Sequence, residues 1–362
     1  MSDFINIIEE RKNISFKTLP FDEVDGMVFS RLCYIKLDHF LSKKDFKKIS
    51  LKNAINKILA NEDSLNSKFV LEFDLRLIEA IRDSKRYKKV YISDFEDDFN
   101  TEIMQQFSAT LFINRSLLKR FGIYAFRGTD GTDNGWKENL YLSVLDSIPS
   151  QIKALEFVEK KRKLPFIRKF IYSGHSKGGN LAIYSGILTK NSKSVTDIYA
   201  FDSPGFSNNF IERTIGNDGF NKIKSYIPEC GIVGRLMNIP YKYTIVASNR
   251  RLFNQHYLHS WEFEDGKLIT LDSFSPTSDK ISSSFTHVLS SLDNENRKLF
   301  IDAFFKLGAL YTDNLIQSLF EDSRGTLIKL VIKLVQLNPE ERNIILKVLG
   351  LGFTGFRIPS EN

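Results

Sequence analysis

Short apolar runs alternate with amphipathic stretches through the middle of this chain, and a more polar, helix-like texture flanks them on both sides. Up to about residue 118 the pattern predicts mostly helix, with an amphipathic stretch over 51–78 and acidic turns such as Asp94 to Asp98. The texture then changes. Apolar runs at 121–126, 166–173, 195–201 and 243–248 read as strands, and helical patterns at 150–161 and 180–189 lie between them. Strands alternating with helices predict βαβ units and a parallel sheet. Beyond about residue 275 the pattern is helical again. Residues 327–337 make a broad apolar face interrupted by Lys329 and Lys333, and Ile344, Ile345, Val348 and Leu349 make another. Faces of this kind pack on a core or a partner helix, or rest on a membrane surface.

These textures divide the chain into three parts. Residues 1–118 form a helical N-terminal region packed on the core, residues 119–275 an α/β core, and residues 276–362 a C-terminal helical extension.

The core carries one motif with a definite geometric demand. Gly174-His175-Ser176-Lys177-Gly178 fits G-x-S-x-G, with an apolar strand before it and a helix-forming run after it. A nucleophile elbow needs that strand-turn-helix, because the serine sits on a strained turn that only small neighbours allow. The helix that follows aims its N-terminal N–H groups at any negative charge forming at Ser176. The spacing around Lys177 excludes a P-loop, which needs G-x-x-x-x-G-K-[ST].

A serine hydroxyl needs a base to remove its proton and a third group to orient that base. In this fold the chain order is Ser, then Asp or Glu, then His. There are five histidines. His39 is in the wrong order, His175 would have to reach back across the elbow and reads as structural, and His287 lies in a Ser-rich stretch ahead of the last helices. The loop after the last predicted strand holds two, His256 as first choice and His259 as the alternative. For the acid, Asp202 ends the strand after the nucleophile helix, where α/β sheets face their ligands. Glu229, ahead of the last strand, is the competing candidate. Oxyanion donors are expected from the backbone N–H of Lys177 and from Thr129, in the loop Arg127-Gly128-Thr129-Asp130 after the first core strand.

Composition narrows the class. Hydrophobic residues at 42% and charged residues at 26% are those of an ordinary globular protein. The net charge of +7 is spread along the chain. Its longest basic cluster, Lys160 to Lys163, reads as a solvated helix end rather than a docking patch for acidic lipid or nucleic acid, and no nucleic-acid module accompanies it. Two scattered cysteines, Cys33 and Cys230, argue against a disulfide scaffold and a zinc site, and fit a reducing compartment. The opening segment has acidic residues and no long apolar core, so no signal peptide is expected, and no run of 18 apolar residues predicts a membrane span. The expectation is a cytoplasmic protein with no metal and no cofactor.

Phe126-Arg127-Gly128-Thr129, Gly135-Trp136-Lys137-Glu138-Asn139, Gly174-His175-Ser176-Lys177-Gly178-Gly179-Asn180-Leu181-Ala182, Phe201-Asp202-Ser203-Pro204-Gly205-Phe206, and Gln255-His256 with Trp261 together resemble the Mbeg-like family. Leu32-Cys33-Tyr34 near the start resembles that family's opening. The Mbeg-like proteins are bacterial α/β-hydrolases, long grouped as a domain of unknown function, and are similar in turn to the class 3, fungal-type lipases. The resemblance implies an α/β-hydrolase fold with a mostly parallel central sheet. It also implies Ser176 as nucleophile, Thr129 and Lys177 as oxyanion donors, and a base near residue 256. Such an enzyme would hydrolyse a carboxylic ester, of an acyl lipid or lysophospholipid, through an acyl-enzyme. Fungal-type lipases carry their acid in an Asp-x-Val-Pro segment before the last strand. Here the matching stretch is Gly231-Ile232-Val233-Gly234, without an aspartate. That departure leaves Asp202, Glu229 or an incomplete triad open. In the last case the chain is an inactive hydrolase fold acting as a protein-interaction module through its C-terminal amphipathic helices.

Overall fold

In a computed structural model of the protein, described over residues 3–355 apart from 48, 67–69, 118–119, 130, 161–163, 165, 313–314 and 316–322, eight strands form one sheet. They are β1 (Val90–Asn100), β2 (Gln105–Arg115), β3 (Arg120–Phe126), β4 (Phe170–His175), β5 (Val195–Phe201), β6 (Ile223–Pro228), β7 (Tyr243–Val246) and β10 (Thr270–Leu271). The strands from β3 to β7 run parallel, while β1, β2 and β10 pair antiparallel at the edges. A separate two-stranded hairpin joins β8 (Phe263–Glu264) to β9 (Lys267–Leu268).

Spatial order in the large sheet follows chain order. Because parallel crossovers are right-handed, that order drops successive connecting helices onto the same face of the sheet. Helices α7 (Pro149–Lys160) and α8 (Lys177–Leu188) lie there, and α9 (Asn208–Thr214) joins β5 to β6. Tyr124, Phe126, Tyr172, Ile198 and Ala200 pack against Phe157, Val158, Leu181 and Ile183. The alternate residues of the same strands, Ile123, Ala125, Ile171, Tyr199 and Phe201, point to the opposite face, as strand period demands. Crossovers alone would leave that face bare.

The N-terminal helices cover it. They are α1 (Phe4–Arg11), α2 (Glu23–Leu32), α3 (Leu37–Phe40), α4 (Leu51–Leu59) and α5 (Glu72–Arg82), and they bury Phe4, Met27, Val28, Phe29, Leu77 and Ile78 against the sheet. α2 lies on β4, with Ser173 Oγ donating to the carbonyl of Gly26 at 2.9 Å. Buried ion pairs anchor it, Arg31 to Asp74 at 2.7 Å and Arg86 to Asp25.

The helical texture expected up to residue 118 stops earlier, because residues 90–100 and 105–115 form the hairpin β1–β2. The acidic run Asp94 to Asp98 is edge strand rather than turn. Its carboxylates are held from outside, Glu96 by Lys153 and Lys160 and Asp97 by Arg127. Charge on an edge strand also discourages pairing with a second chain. Of the basic cluster, Lys160 makes that ion pair; residues 161–163 lie outside the described residues.

Beyond the sheet come α10 (Pro276–Ser290), α11 (Asn294–Ala309), α12 (Ser323–Lys333) and α13 (Pro339–Gly355). Their apolar faces mostly meet one another: Leu307, Leu330, Leu334, Leu337, Ile344 and Ile345 form a satellite core. Val331, Ile332 and Val335 face outward, while the side chains of Leu327 and Ile328 lie outside the described residues. Ile301 and Phe305 of α11 pack on α6 (Asp133–Tyr141), the helix after β3. Among the described residues no helix is long and apolar enough to cross a membrane. The parallel sheet, the sharp turn from β4 into α8 and the flanking helical layers make this an α/β-hydrolase fold with a helical N-terminal region and a helical C-terminal extension.

Candidate active site

β4 ends at His175 and α8 begins at Lys177, so Ser176 alone makes the turn, at φ 57° and ψ −132°. Residues with side chains rarely adopt that conformation, and a strained backbone of this kind costs about 1–3 kcal/mol that the surroundings must supply. They do so through glycine. A Cβ on Gly174 would fall 2.1 Å from the carbonyl oxygen of Gly178, and one on Gly178 would fall 2.2 Å from that of Phe126. Strand and helix therefore approach as closely as the motif requires. The Ser176 N–H donates to the Phe201 carbonyl at 2.9 Å, which ties the turn to the end of β5.

Asp202 is the next residue after β5 and also has positive φ, 41°. Its N–H donates to the Tyr226 carbonyl at 2.8 Å on β6. The carboxylate is buried and takes two bonds: Oδ1 accepts the Gly234 N–H at 2.8 Å, and Oδ2 meets His256 Nδ1 at 2.6 Å. A Cβ on Gly234 would come 2.5 Å from Oδ1. The Gly231–Gly234 stretch, which lacks an aspartate, thus wraps the carboxylate of Asp202 with its backbone. A carboxylate acceptor means that Nδ1 of His256 carries the proton.

His256 sits in a short helical turn, Leu252–His256, with its side chain 20% exposed. His175 holds this turn. Its Nε2 lies 2.7 Å from the His256 carbonyl, an obligate acceptor, so Nε2 is protonated and Nδ1 accepts the Tyr34 hydroxyl at 2.9 Å. The two imidazole rings pack with centroids 4.4 Å apart. Burial, and next the neighbouring His256, push the pKa of His175 well below the ordinary histidine value, so it stays neutral.

The alternatives are placed elsewhere. Glu229 Oε1 accepts from Gln255 Nε2 at 3.3 Å, and Gln255 is otherwise spent on the Cys230 N–H and the Arg250 carbonyl. His259 packs on Phe73 and Tyr257, with centroids at 4.6 and 5.5 Å. Burial, and then Arg31, bring its pKa down to about 4. The structure brings together Asp202 and His256, and pairs neither Glu229 nor His259 with a triad partner.

Both expected oxyanion donors border Ser176. Lys177 is the first residue of α8, where backbone N–H groups point out of the helix. A Cβ on Gly128 would lie 3.1 Å from Ser176 Cβ, so the loop carrying Thr129 runs against Ser176. Thr129 Oγ1 accepts from Asn139 Nδ2 at 2.6 Å. Asp130, part of the same loop, lies outside the described residues. Among the described residues no three His, Cys, Asp or Glu side chains cluster so as to hold a metal ion. Tyr34, Asn139 and Gly234 are contributors that motif reasoning did not assign. Only the first two had a signal, since they lie in the segments that carry the family resemblance.

A model of the Mbeg1-like family matches residues 81–306, from the end of α5 into α11. Among solved structures, the crystal structure of M37 lipase is similar at 14% sequence identity and a TM-score of 0.37, over 60% of this chain and 70% of that one. No curated protein matches the sequence.

Proposed function

The chain belongs to the Mbeg1-like family, and from that premise we propose that it is a serine hydrolase that cleaves a carboxylic ester through an acyl-enzyme on Ser176. Ser176 Oγ attacks the ester carbonyl while His256 takes its proton at Nε2. Asp202 holds the opposite ring nitrogen, which fixes the tautomer and stabilises the imidazolium as it forms. The backbone N–H groups of Lys177 and Thr129 receive the negative charge of the tetrahedral intermediate. Its collapse breaks the ester C–O bond, and His256 returns the proton to the leaving alcohol. Water, deprotonated by the same imidazole, then releases the acid and restores Ser176.

One observation carries this reading: the 2.6 Å contact between His256 Nδ1 and Asp202 Oδ2, beside a serine held at positive φ between strand and helix. The inactive-module reading drew its support from the aspartate missing at 231–234. The bond from the Gly234 N–H to Asp202 weighs against it, since that stretch meets a carboxylate one strand earlier, which we take as the acid. The substrate class we favour is an acyl lipid or lysophospholipid ester, by analogy with the fungal-type lipases. Two scattered thiols support a reducing compartment, and we assign the enzyme to the cytoplasm on that ground.

A fluorophosphonate probe tests the reading. Wild type should be labelled and Ser176→Ala should not, and a panel of p-nitrophenyl esters from acetate to palmitate should rank the acyl length. A folded wild type that neither takes up the probe nor turns over any ester would overturn it.

A further inference from the structure

Lys177 contributes its backbone to the elbow, and its side chain goes in the opposite direction, into the protein. The ammonium is fully buried and donates to the Gln106 carbonyl at 2.6 Å, to Gln106 Oε1 at 2.9 Å and to Glu138 Oε2 at 2.7 Å. Glu138, on α6, is equally enclosed. Its Oε2 also accepts the Gln106 N–H at 3.1 Å, and its Oε1 accepts the Ser150 N–H at 2.9 Å at the start of α7. One carboxylate thus joins β2, α6, α7 and the first residue of α8.

Stability alone is a weak reason for such a pair. Removing two charges from water costs about as much as their attraction returns, and apolar residues of equal volume often replace them without loss. What the pair does uniquely is hold residue 177 by its far end. With Nζ fixed at three points, Cα and the amide of Lys177 have little freedom to turn. The next residue of α6, Asn139, grips Thr129 in the same way, through Oγ1 at 2.6 Å. Neighbouring residues of one helix therefore reach both residues expected to stabilise the oxyanion.

We propose that Glu138 is a positioning residue: through its ion pair with Lys177 it sets the direction of the Lys177 N–H in the oxyanion hole. This inference rests on Ser176 being the nucleophile. It differs from the hydrolase reading in requiring that the buried pair serve the transition state more than the fold.

Two variants test it, Glu138→Gln and the apolar pair Lys177→Met with Glu138→Leu, the second chosen so that no lone buried charge is left to unfold the chain. The readouts are kcat and KM on p-nitrophenyl butyrate, the thermal midpoint, and affinity for a phenylboronic acid that forms a tetrahedral adduct on Ser176. Since loss of one oxyanion donor costs about 100-fold or more in kcat, misdirecting it should cost about tenfold or more. KM should stay within about threefold, and boronate affinity should fall in step with kcat, because only the tetrahedral state uses the hole. The thermal midpoint of the double variant should fall, because the buried Gln106 and Ser150 N–H groups lose the carboxylate they donate to, while the chain stays folded. A folded double variant with wild-type kcat and boronate affinity overturns the proposal, and so does a loss of kcat with boronate affinity unchanged. Hydrolysis that survives in Ser176→Ala would instead sink the hydrolase reading itself, which separates the two failures.

Discussion

His175 donates its Nε2–H to the backbone carbonyl of His256, so the residue before Ser176 holds the turn that presents the His256 imidazole. Tyr34, just after α2, completes the arrangement from the covering layer by donating to His175 Nδ1. Replacing His175 with Phe keeps a ring in the gap but abandons both bonds. A buried partner left unsatisfied costs about 1–3 kcal/mol. His175→Phe should therefore lower kcat by about 10- to 100-fold while the far-ultraviolet circular dichroism stays that of wild type. Tyr34→Phe, which leaves the bond to His256 intact, should cost less than His175→Phe. The reverse ranking would show that the clamp is not what places His256.

The two candidate carboxylates give opposite expectations. Asp202→Asn keeps the shape of the side chain but offers Nδ1 of His256 no full charge and favours the wrong tautomer. Losses for a triad acid run from about 10² to 10⁴ in kcat. Glu229→Gln disturbs only the contact to Gln255 and should leave kcat within about threefold. Steady-state kinetics on both variants decide the matter, and equal losses would mean that the carboxylates share the work.

The elbow was legible in the sequence because its demand is steric and local: Gly174 and Gly178 stand where any Cβ would strike a backbone carbonyl. β3, β4 and β5 were legible as apolar runs, since strands covered on both faces are continuous in hydrophobicity, while β7, exposed at Tyr243, was read from its apolar end at Ile245 and Val246. β1 was not. Its acidic residues are neutralised by Lys153 and Lys160, more than fifty positions away, and no local pattern announces such a partner. β6 escaped notice as a short run closing on Pro228. Asp202 was readable from its place at a strand's end, whereas the amide of Gly234 was not, because a backbone donor leaves no mark on residue type. Lys177 misleads by its chemistry, since lysine is a surface residue in most settings and here its charge is matched by a glutamate from another helix.

Gly234 faces a double demand. It donates its N–H to Asp202 Oδ1 at 2.8 Å, and a Cβ there would press within 2.5 Å of the same oxygen. Gly234→Ala should push the carboxylate from its seat, with a loss of about tenfold in kcat and a cost of about 1–3 kcal/mol in stability, the range for overpacking a tight site. Parallel kinetics and denaturant titration measure the two effects. A fully active, fully stable alanine variant would mean that the segment over Asp202 yields easily and does not define its position.

Acid should weaken the fold through its buried imidazoles. His259 has a folded pKa near 4 against 6.5 for the free group, and that of His175 is also depressed. A depressed pKa means that the unfolded chain binds the proton first, so the contribution is complete above pH 6.5 and declines as pH falls. For His259 the decline ends near pH 4. At pH 5.5 unfolding should take up about one proton on account of His259. The buried carboxylates Asp25 and Asp74 titrate against the same background, so the comparison must be between proteins that share them. His259→Leu keeps an apolar contact for Phe73 and removes one titration. Its denaturant midpoint should therefore fall less steeply than that of wild type between pH 6.5 and 4, and run parallel to it above pH 7. Parallel curves across the whole range would mean that His259 accepts its proton in the folded protein without resistance from its burial or from the neighbouring arginines.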